Sequence, residues 1–321
     1  MRLTLVAAIL AAAIALPRVS LGALLFSENF EVDPTANWTV NKAPATTDEA
    51  HNFFFDYSTV GIPTAPSGAG TRGLKLQANQ SSGVFGGMSV SPTGLNLSGD
   101  YKLKFDWWSN FNGPAPVGGS GSTQLSTFGV GTSGTVAQWP GGTQDSIWFG
   151  ATGDGNSSSD WRAYSPAPAG VSRYPDNSPG IYAAGTQTGS TNASDPYYAS
   201  FGTVSPPAAQ TALFAQQNGT TLVGSSAFEW HQVVVQRAGA SVTWSVDGVL
   251  IATVPVADDT VVTANNIFLG HSDTNATSST DPNDGALLFT LIDNVVVVPE
   301  PSTIGLFLLS IGGLLFRRRW Q

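Results

Sequence analysis

The stretch Glu229–Pro255, EWHQVVVQRAGASVTWSVDGVLIATVP, decides the fold. His231–Gln236 reads as a strand, Ala238–Ala240 as a turn and Ser241–Val246 as the returning strand. Val242, Trp244 and Val246 fall on one face of that return. Asp247-Gly248 is a pair favoured by a tight hairpin turn whose central residues need positive φ. Val249–Val254 then runs on as a third strand. The same period of two recurs upstream in YKLKFDWW, Tyr101–Trp108. There Tyr101, Leu103, Phe105 and Trp107 point one way, and Lys102, Lys104 and Asp106 the other. Trp108 stands on the face opposite Trp107.

Further strands are expected in LLFSENFE, RGLKLQAN, STFGVG, SIWFGATG, NNIFLGHS and LLFTLIDNVVVV. No stretch of the body carries a convincing helical period, and Ala208–Gln217 reads as a short helix or a turn. Short strands joined by Gly, Ser, Asn and Pro turns predict an all-β chain, an antiparallel β-sandwich or barrel. Residues 110–228 are rich in Gly, Ser, Pro and Thr and give few clear strands. That middle is expected to hold several strands and large loops.

Only 11% of the 321 residues are charged, but 41% are apolar and nine are Trp, so a core can be built. With 13 Lys+Arg and a net charge of -9, there is no basic surface for nucleic acid. The absence of cysteine excludes disulfides and zinc–thiolate sites.

Both ends are apolar. Arg2, the run Leu3–Leu16, and the small residues Ser20 and Gly22 have the layout of a secretory signal peptide, residues 1–22, cut near Gly22/Ala23. At the other end the run Ile304–Phe316 would span about 20 Å as a helix, against a hydrocarbon core of about 30 Å. Snorkelling by the flanking arginine stems extends the match. Arg317, Arg318 and Arg319 would hold the extreme C-terminus on the cytoplasmic side. A short C-terminal transmembrane helix is the expectation.

Val298, Pro299, Glu300, Pro301 and Ser302, then the apolar run, then Arg317–Arg319, together resemble the PEP-CTERM sorting signal of Gram-negative bacteria. The resemblance covers residues 298–321. It implies export, transient retention in the inner membrane through the C-terminal helix, and processing by an exosortase, a membrane cysteine protease-transpeptidase. It also implies an association with exopolysaccharide and biofilm, and a final place at the cell surface or in the extracellular matrix. On this reading Glu300 is a feature of a substrate.

The body, residues 23–297, resembles concanavalin A-like and laminin-G-like jelly rolls. Trp230, Val233, Val235, Val246, Asp247, Gly248, Asp293, Asn294 and Val295 stand where those modules carry a W-x-x-V-x-V strand, a DG turn and a closing DNV strand. Glu28–Glu31 beside the closing strand matches the usual pairing of termini. Some jelly rolls of this kind hold a structural Ca²⁺ in a similar place, which the resemblance makes the candidate cofactor here with Glu31 and Asp293 as ligands; the alternative is that both are capping or turn acids.

Three chemistries are weighed for the body. Glucanases of this fold carry their acids on one face of a Glu-x-Asp-x-x-Glu strand, and no such strand exists here. A serine triad would need His51, His231 or His271 as base, and there is no G-x-S-x-G motif. Glycan binding asks for aromatic faces beside polar loops. Trp108, Trp139, Trp148, Trp161 and Tyr164 are the candidates, with core packing as the competing role. The expectation is a non-enzymatic exported protein whose jelly roll binds exopolysaccharide or cell-surface glycan, or serves as a structural adhesion module. The alternatives are a glycoside hydrolase or lyase of the same fold and a purely structural biofilm-matrix protein.

Overall fold

The computed structural model describes residues 24–43, 48–78, 83–118, 123–142, 144–154, 159–166, 173–184, 192–256, 264–277 and 281–300. The signal-peptide segment and the C-terminal run with Pro301, Ser302 and Arg317–Arg319 lie outside the described residues. Among those described, no helix is long and apolar enough to cross a membrane.

Two antiparallel sheets face each other. Sheet A is built from β1 (Phe26–Glu28), β3 (Ala50–Asp56), β4 (Arg72–Gln77), β6 (Tyr101–Asn110), β10 (Trp230–Ala238), β11 (Ser241–Val246), β12 (Val249–Pro255) and β14 (Phe289–Pro299). Its order is β12-β11-β10-β6-β14-β4-β3, with β1 also on β14. Sheet B has the order β2-β5-β13-β7-β8-β9. Its strands are β2 (Trp38–Ala43), β5 (Gly87–Pro92), β7 (Gln124–Thr132), β8 (Ile147–Thr152), β9 (Trp161–Tyr164) and β13 (Asn266–Asp273). The expected all-β sandwich is what the chain forms.

The hairpin of Glu229–Pro255 takes the register its sequence implies. Val233 pairs with Val246 and Val235 with Trp244. Asp247 and Gly248 both have positive φ, 50° and 79°, as the two-residue turn demands. Tyr101, Leu103, Phe105 and Trp107 enter the core between the sheets, beside Trp244 of β11 in the same sheet, and share it with Phe128, Val130 and Leu269 of sheet B.

Trp108, on the other face of β6, lies in a second apolar cluster with Tyr57, Phe111, Phe228 and Phe289. This cluster lies on the outer face of sheet A. The segment 204–228, with the short helix α1 (Ala208–Leu213), supplies the cover. Gln210 Nε2 and Trp108 Nε1 both donate to Asn110 Oδ1, at 3.0 and 3.1 Å, which satisfies polar groups in an apolar setting. Much of the long middle is therefore structural, packed as a third layer.

The compact unit runs Leu25–Glu300, and β14 continues through Pro299. Val298 and Pro299 stay in register with Lys102 and Tyr101 of β6. Proline lacks a donor, but at a strand end the ladder tolerates it.

Candidate functional site

Each sheet has outward positions that the core does not use. On β7 the inward residues include Phe128 and Val130, so Leu125, Thr127 and Gly129 point out. On β13 the outward set is Phe268, Gly270 and Ser272. These central positions of sheet B carry apolar, small or hydroxyl side chains.

Trp148 and Tyr164 join Leu125 and Phe268 on that outer face. Their rings stack with centroids 3.5 Å apart. Trp148 Nε1 donates to Gln144 Oε1 at 2.7 Å. Both rings are fully buried. Trp161 faces inward instead, against Trp244, Tyr198 and Phe201. Trp108 is buried on sheet A. The five aromatics expected as a binding surface thus fall in four places, and four of them have no open ring face. The physical reason is the area of these rings: the folded chain gains most by removing it from water.

Trp139 is the exception in setting. It lies on the segment after β7, packed on Phe85 with ring centroids 5.1 Å apart. Together with Lys42, Ala43, Val136, Ala137 and Gly142 they line a groove of about 450 Å³ at the β2 edge of sheet B. Trp139 keeps 8% of its surface open, and Phe85 is half-buried. The close packing depends on glycine: a Cβ at Gly142 would lie 1.9 Å from Trp139 Nε1. Phe85 and Lys42 were missed in the sequence; an aromatic isolated among glycines, GVFGG, was the available signal.

Glu31 and Asp293 do converge. β14 changes partner along one edge, pairing with β4 at Thr290–Ile292 and with β1 at Val295–Val297. Between them Asn294 takes positive φ, 52°, and the register shifts. This bulge presents Asp293 outward. Tyr57 Oη lies 3.0 Å from Asp293 Oδ2 and 3.1 Å from the Gly70 carbonyl. Glu31 Oε1 accepts from the Arg72 amide at 3.1 Å and crowds Gly70, where a Cβ would sit 1.7 Å away. Asp106 joins from β6, bonded by Ser67 and by Asn294 Nδ2. Burial pushes Asp293 up to about 7, and the charges of Asp106 and Glu31 push the same way. Among the described residues, no group of three or more His, Asp or Glu is placed to ligate a metal by side chains alone. Any cation here would have to draw on the Gly70 carbonyl as well. Beside this junction, a cavity of about 390 Å³ opens between β1 and β10, lined by Asn29, Lys104, Gln232 and Asn294.

The histidines are not a triad. His231 Nδ1 faces Asp247 Oδ2 at 2.7 Å, and Nε2 faces the Ser226 carbonyl at 3.2 Å. The Ser226 hydroxyl donates elsewhere, to the Thr152 carbonyl at 3.1 Å. With acceptors at both ring nitrogens, His231 has no lone pair aimed at a nucleophile. His271 is buried among Thr290 and Gln124, and burial pushes it down to about 3. His51 packs edge-on against Phe53.

A second acidic cluster lies at the end of β13. Asp273 is fully buried near Asp48 and Glu49, and burial with their charge pushes it up to about 8. Its Oδ2 accepts from the Gly86 amide at 3.3 Å. A carboxyl whose folded value is raised stabilises below its unfolded value near 4 and is destabilising once pH exceeds the folded one. Stability from this group is therefore lost as pH rises from about 4 to about 8. Asp273→Asn is expected to be a few kcal/mol less penalised at pH 8 than the parent. Urea titrations at pH 5 and pH 8 check this: an unchanged pH slope would contradict it.

At the C-terminal end of β14, the Glu300 amide donates to the Asp100 carbonyl at 3.0 Å. Lys102 Nζ lies 2.9 Å from Glu300 Oε1.

Comparison with known proteins gives a match at this same end. Residues 297–319 match the family model described as the PEP-CTERM protein-sorting motif. No curated protein matches the chain. Among solved structures, the chain is similar to a protein of unknown function with a galectin-like fold from Bacillus subtilis. The identity is 10%, covering 87% of this chain and 96% of that one, with a TM-score of 0.40. It is also similar to the laminarinase catalytic domain from Thermotoga maritima, at 13% identity over 88% and 99% of the two chains, with a TM-score of 0.43. A third is the Crh5 transglycosylase, at 11% identity over 88% and 87%, with a TM-score of 0.42. The chain thus carries a PEP-CTERM protein-sorting motif, which indicates export and membrane-associated sorting, at the end of an all-β sandwich.

Proposed function

We propose that this is an exported, exosortase-processed protein of the cell surface or extracellular matrix, whose sandwich binds polysaccharide without cleaving it. The single observation that carries the reading is the sorting motif at residues 297–319, joined directly to the last strand of a folded sandwich. Residues 1–22 act as the signal peptide, and Ile304–Phe316 anchors the precursor until an exosortase acts.

The non-enzymatic part is supported by the sequence, which has no Glu-x-Asp-x-x-Glu strand to set a general acid and a nucleophile or base on one face. Binding is assigned to the Phe85–Trp139 groove. An aromatic wall and a glycine turn suit the apolar face of a sugar, and Lys42, whose Nζ donates to the Glu49 carbonyl at 2.7 Å, stands at the polar rim. Trp139→Ala and Phe85→Ala are each expected to weaken binding of the host's exopolysaccharide about 3- to 10-fold, the worth of a lost aromatic stack. Titration of the polysaccharide into the purified body measures this. Equal affinity in both variants, with the body still folded, would remove the groove from the account. Absence of any binding by the parent would favour a structural matrix role.

Calcium is proposed at the Glu31–Gly70–Asp293 junction, where hard oxygen donors of the right class meet. Calcium would favour ionised Asp293, so its stabilising effect is expected to be larger at pH 8 than at pH 5. Millimolar Ca²⁺ should raise the melting temperature by several degrees at pH 8 in the parent and not in Asp293→Asn. A parent that melts identically in Ca²⁺ and in chelator would exclude the site.

A further inference from the structure

The sorting motif begins inside the fold. β1 leaves β14 at Val297, where Phe26 is its register partner and the Leu25 amide donates to the Val297 carbonyl at 2.8 Å. Beyond that point β14 is held by β6 alone. Val298 lies opposite Lys102, Pro299 opposite Tyr101, and the Glu300 amide bonds to the Asp100 carbonyl. The glutamate itself is drawn back onto the body. Its side chain is only 15% exposed, with Lys102 Nζ 2.9 Å from Oε1. Tyr101 is fully buried, so β6 is rigidly placed at this end.

We propose that the body latches its own sorting motif: Val298–Glu300 must peel from β6, and Lys102 must release Glu300, before a processing enzyme can engage the glutamate. This rests on the export and processing reading above and adds its regulation. Enzymes that act on peptide bonds take their substrates extended, with the backbone free to pair. Here one backbone edge of Val298–Glu300 is already paired, and the glutamate's charge is already met by Lys102. The latch is weak by design of its materials: a part-exposed ion pair and the last rungs of a strand, the class of structure that frays first. It therefore slows processing of folded protein without blocking it. A chain still unfolded at its C-terminal end would be open to processing at once.

The test is pulse-chase of the full chain in a host that carries an exosortase, following loss of the precursor. Lys102→Ala and Lys102→Glu are expected to shorten the precursor's half-time about 2- to 5-fold, the scale of a part-exposed ion pair. A Gly-Ser-Gly-Ser spacer between Val297 and Val298, which lifts the whole motif off β6, should shorten it further. Lys104→Glu is the control for general loosening, since Lys104 lies on the same face of β6 but opposite Val296. Equal half-times in the parent, the Lys102 variants and the spacer variant would overturn the latch while leaving the sorting reading intact. Acceleration by Lys104→Glu as large as by Lys102→Glu would also overturn it. A parent that is never processed would contradict both the latch and the reading it rests on.

Discussion

Replacing Pro299, Glu300 and Pro301 with alanine is expected to leave nearly all of the chain as membrane-bound precursor. In the proposed function the run Ile304–Phe316 is the membrane anchor of the precursor. An apolar run closed by Arg317–Arg319 cannot slide out of a bilayer toward the outside. Each arginine at the bilayer centre costs on the order of 3 kcal/mol even on the most permissive scale. Three of them make spontaneous release negligible, so release requires a cut between the body and the anchor. If the enzyme reads the glutamate and its flanking prolines, their removal stops that cut. A blot of membrane and outer fractions measures this. Release of a shortened chain from the triple variant at the parent rate would show that the motif is not what is read.

The second large effect concerns the core. Trp244→Ala should destabilise the body by about 3–5 kcal/mol. Trp244 is fully buried and meets Phe128, Phe149 and Trp161 at centroid distances of 5.4, 5.2 and 5.5 Å. These rings come from β11, β7, β8 and β9, so the cavity would open where the two sheets meet. Domains are stable by only about 5–15 kcal/mol, so the variant should melt far below the parent. Val32→Ala is the matched control. Val32 is 79% exposed, and its truncation should stay within about 0.5 kcal/mol. Chemical denaturation of both, followed by tryptophan fluorescence, decides it. Equal midpoints would mean that the rings around Trp244 do not form the core.

The strands that could be read in advance are those with one wet or neutral face and one dry face. Tyr101–Trp108 and Ser241–Val246 alternate cleanly because sheet A leaves part of its outer surface to water, and the period of two survives in the sequence. β2, β3, β5 and β9 were not anticipated. β5, Gly87–Pro92, is buried along its whole length, so Gly, Ser and Met alternate with nothing polar and exposed to mark the face. β9 is four residues, too short to show a period.

The site was harder to read than the fold. Trp108 looked available because it faces away from Trp107 on its strand, and Trp148, Trp161 and Tyr164 because they sit in loop-rich sequence. Burial of a ring is decided by what covers it, and the covers come from distant segments: 204–228 lies over Trp108, and Tyr164 and Trp148 cover each other. Glu31 and Asp293 could be considered together in the sequence because they lie near the two ends of the body, and β1 pairs with β14. The latch could not have been anticipated. It needs the register of β14 on β6, and a bulge at Asn294 resets that register between Asp293 and Val296.

The most direct measurement is the intact mass of the protein recovered from the cell surface or medium. The account predicts a chain that begins near Ala23 and ends close to Pro299–Pro301, shorter at both ends than the 321-residue sequence. Recovery of the complete chain from the cytosol, with none outside, would contradict it.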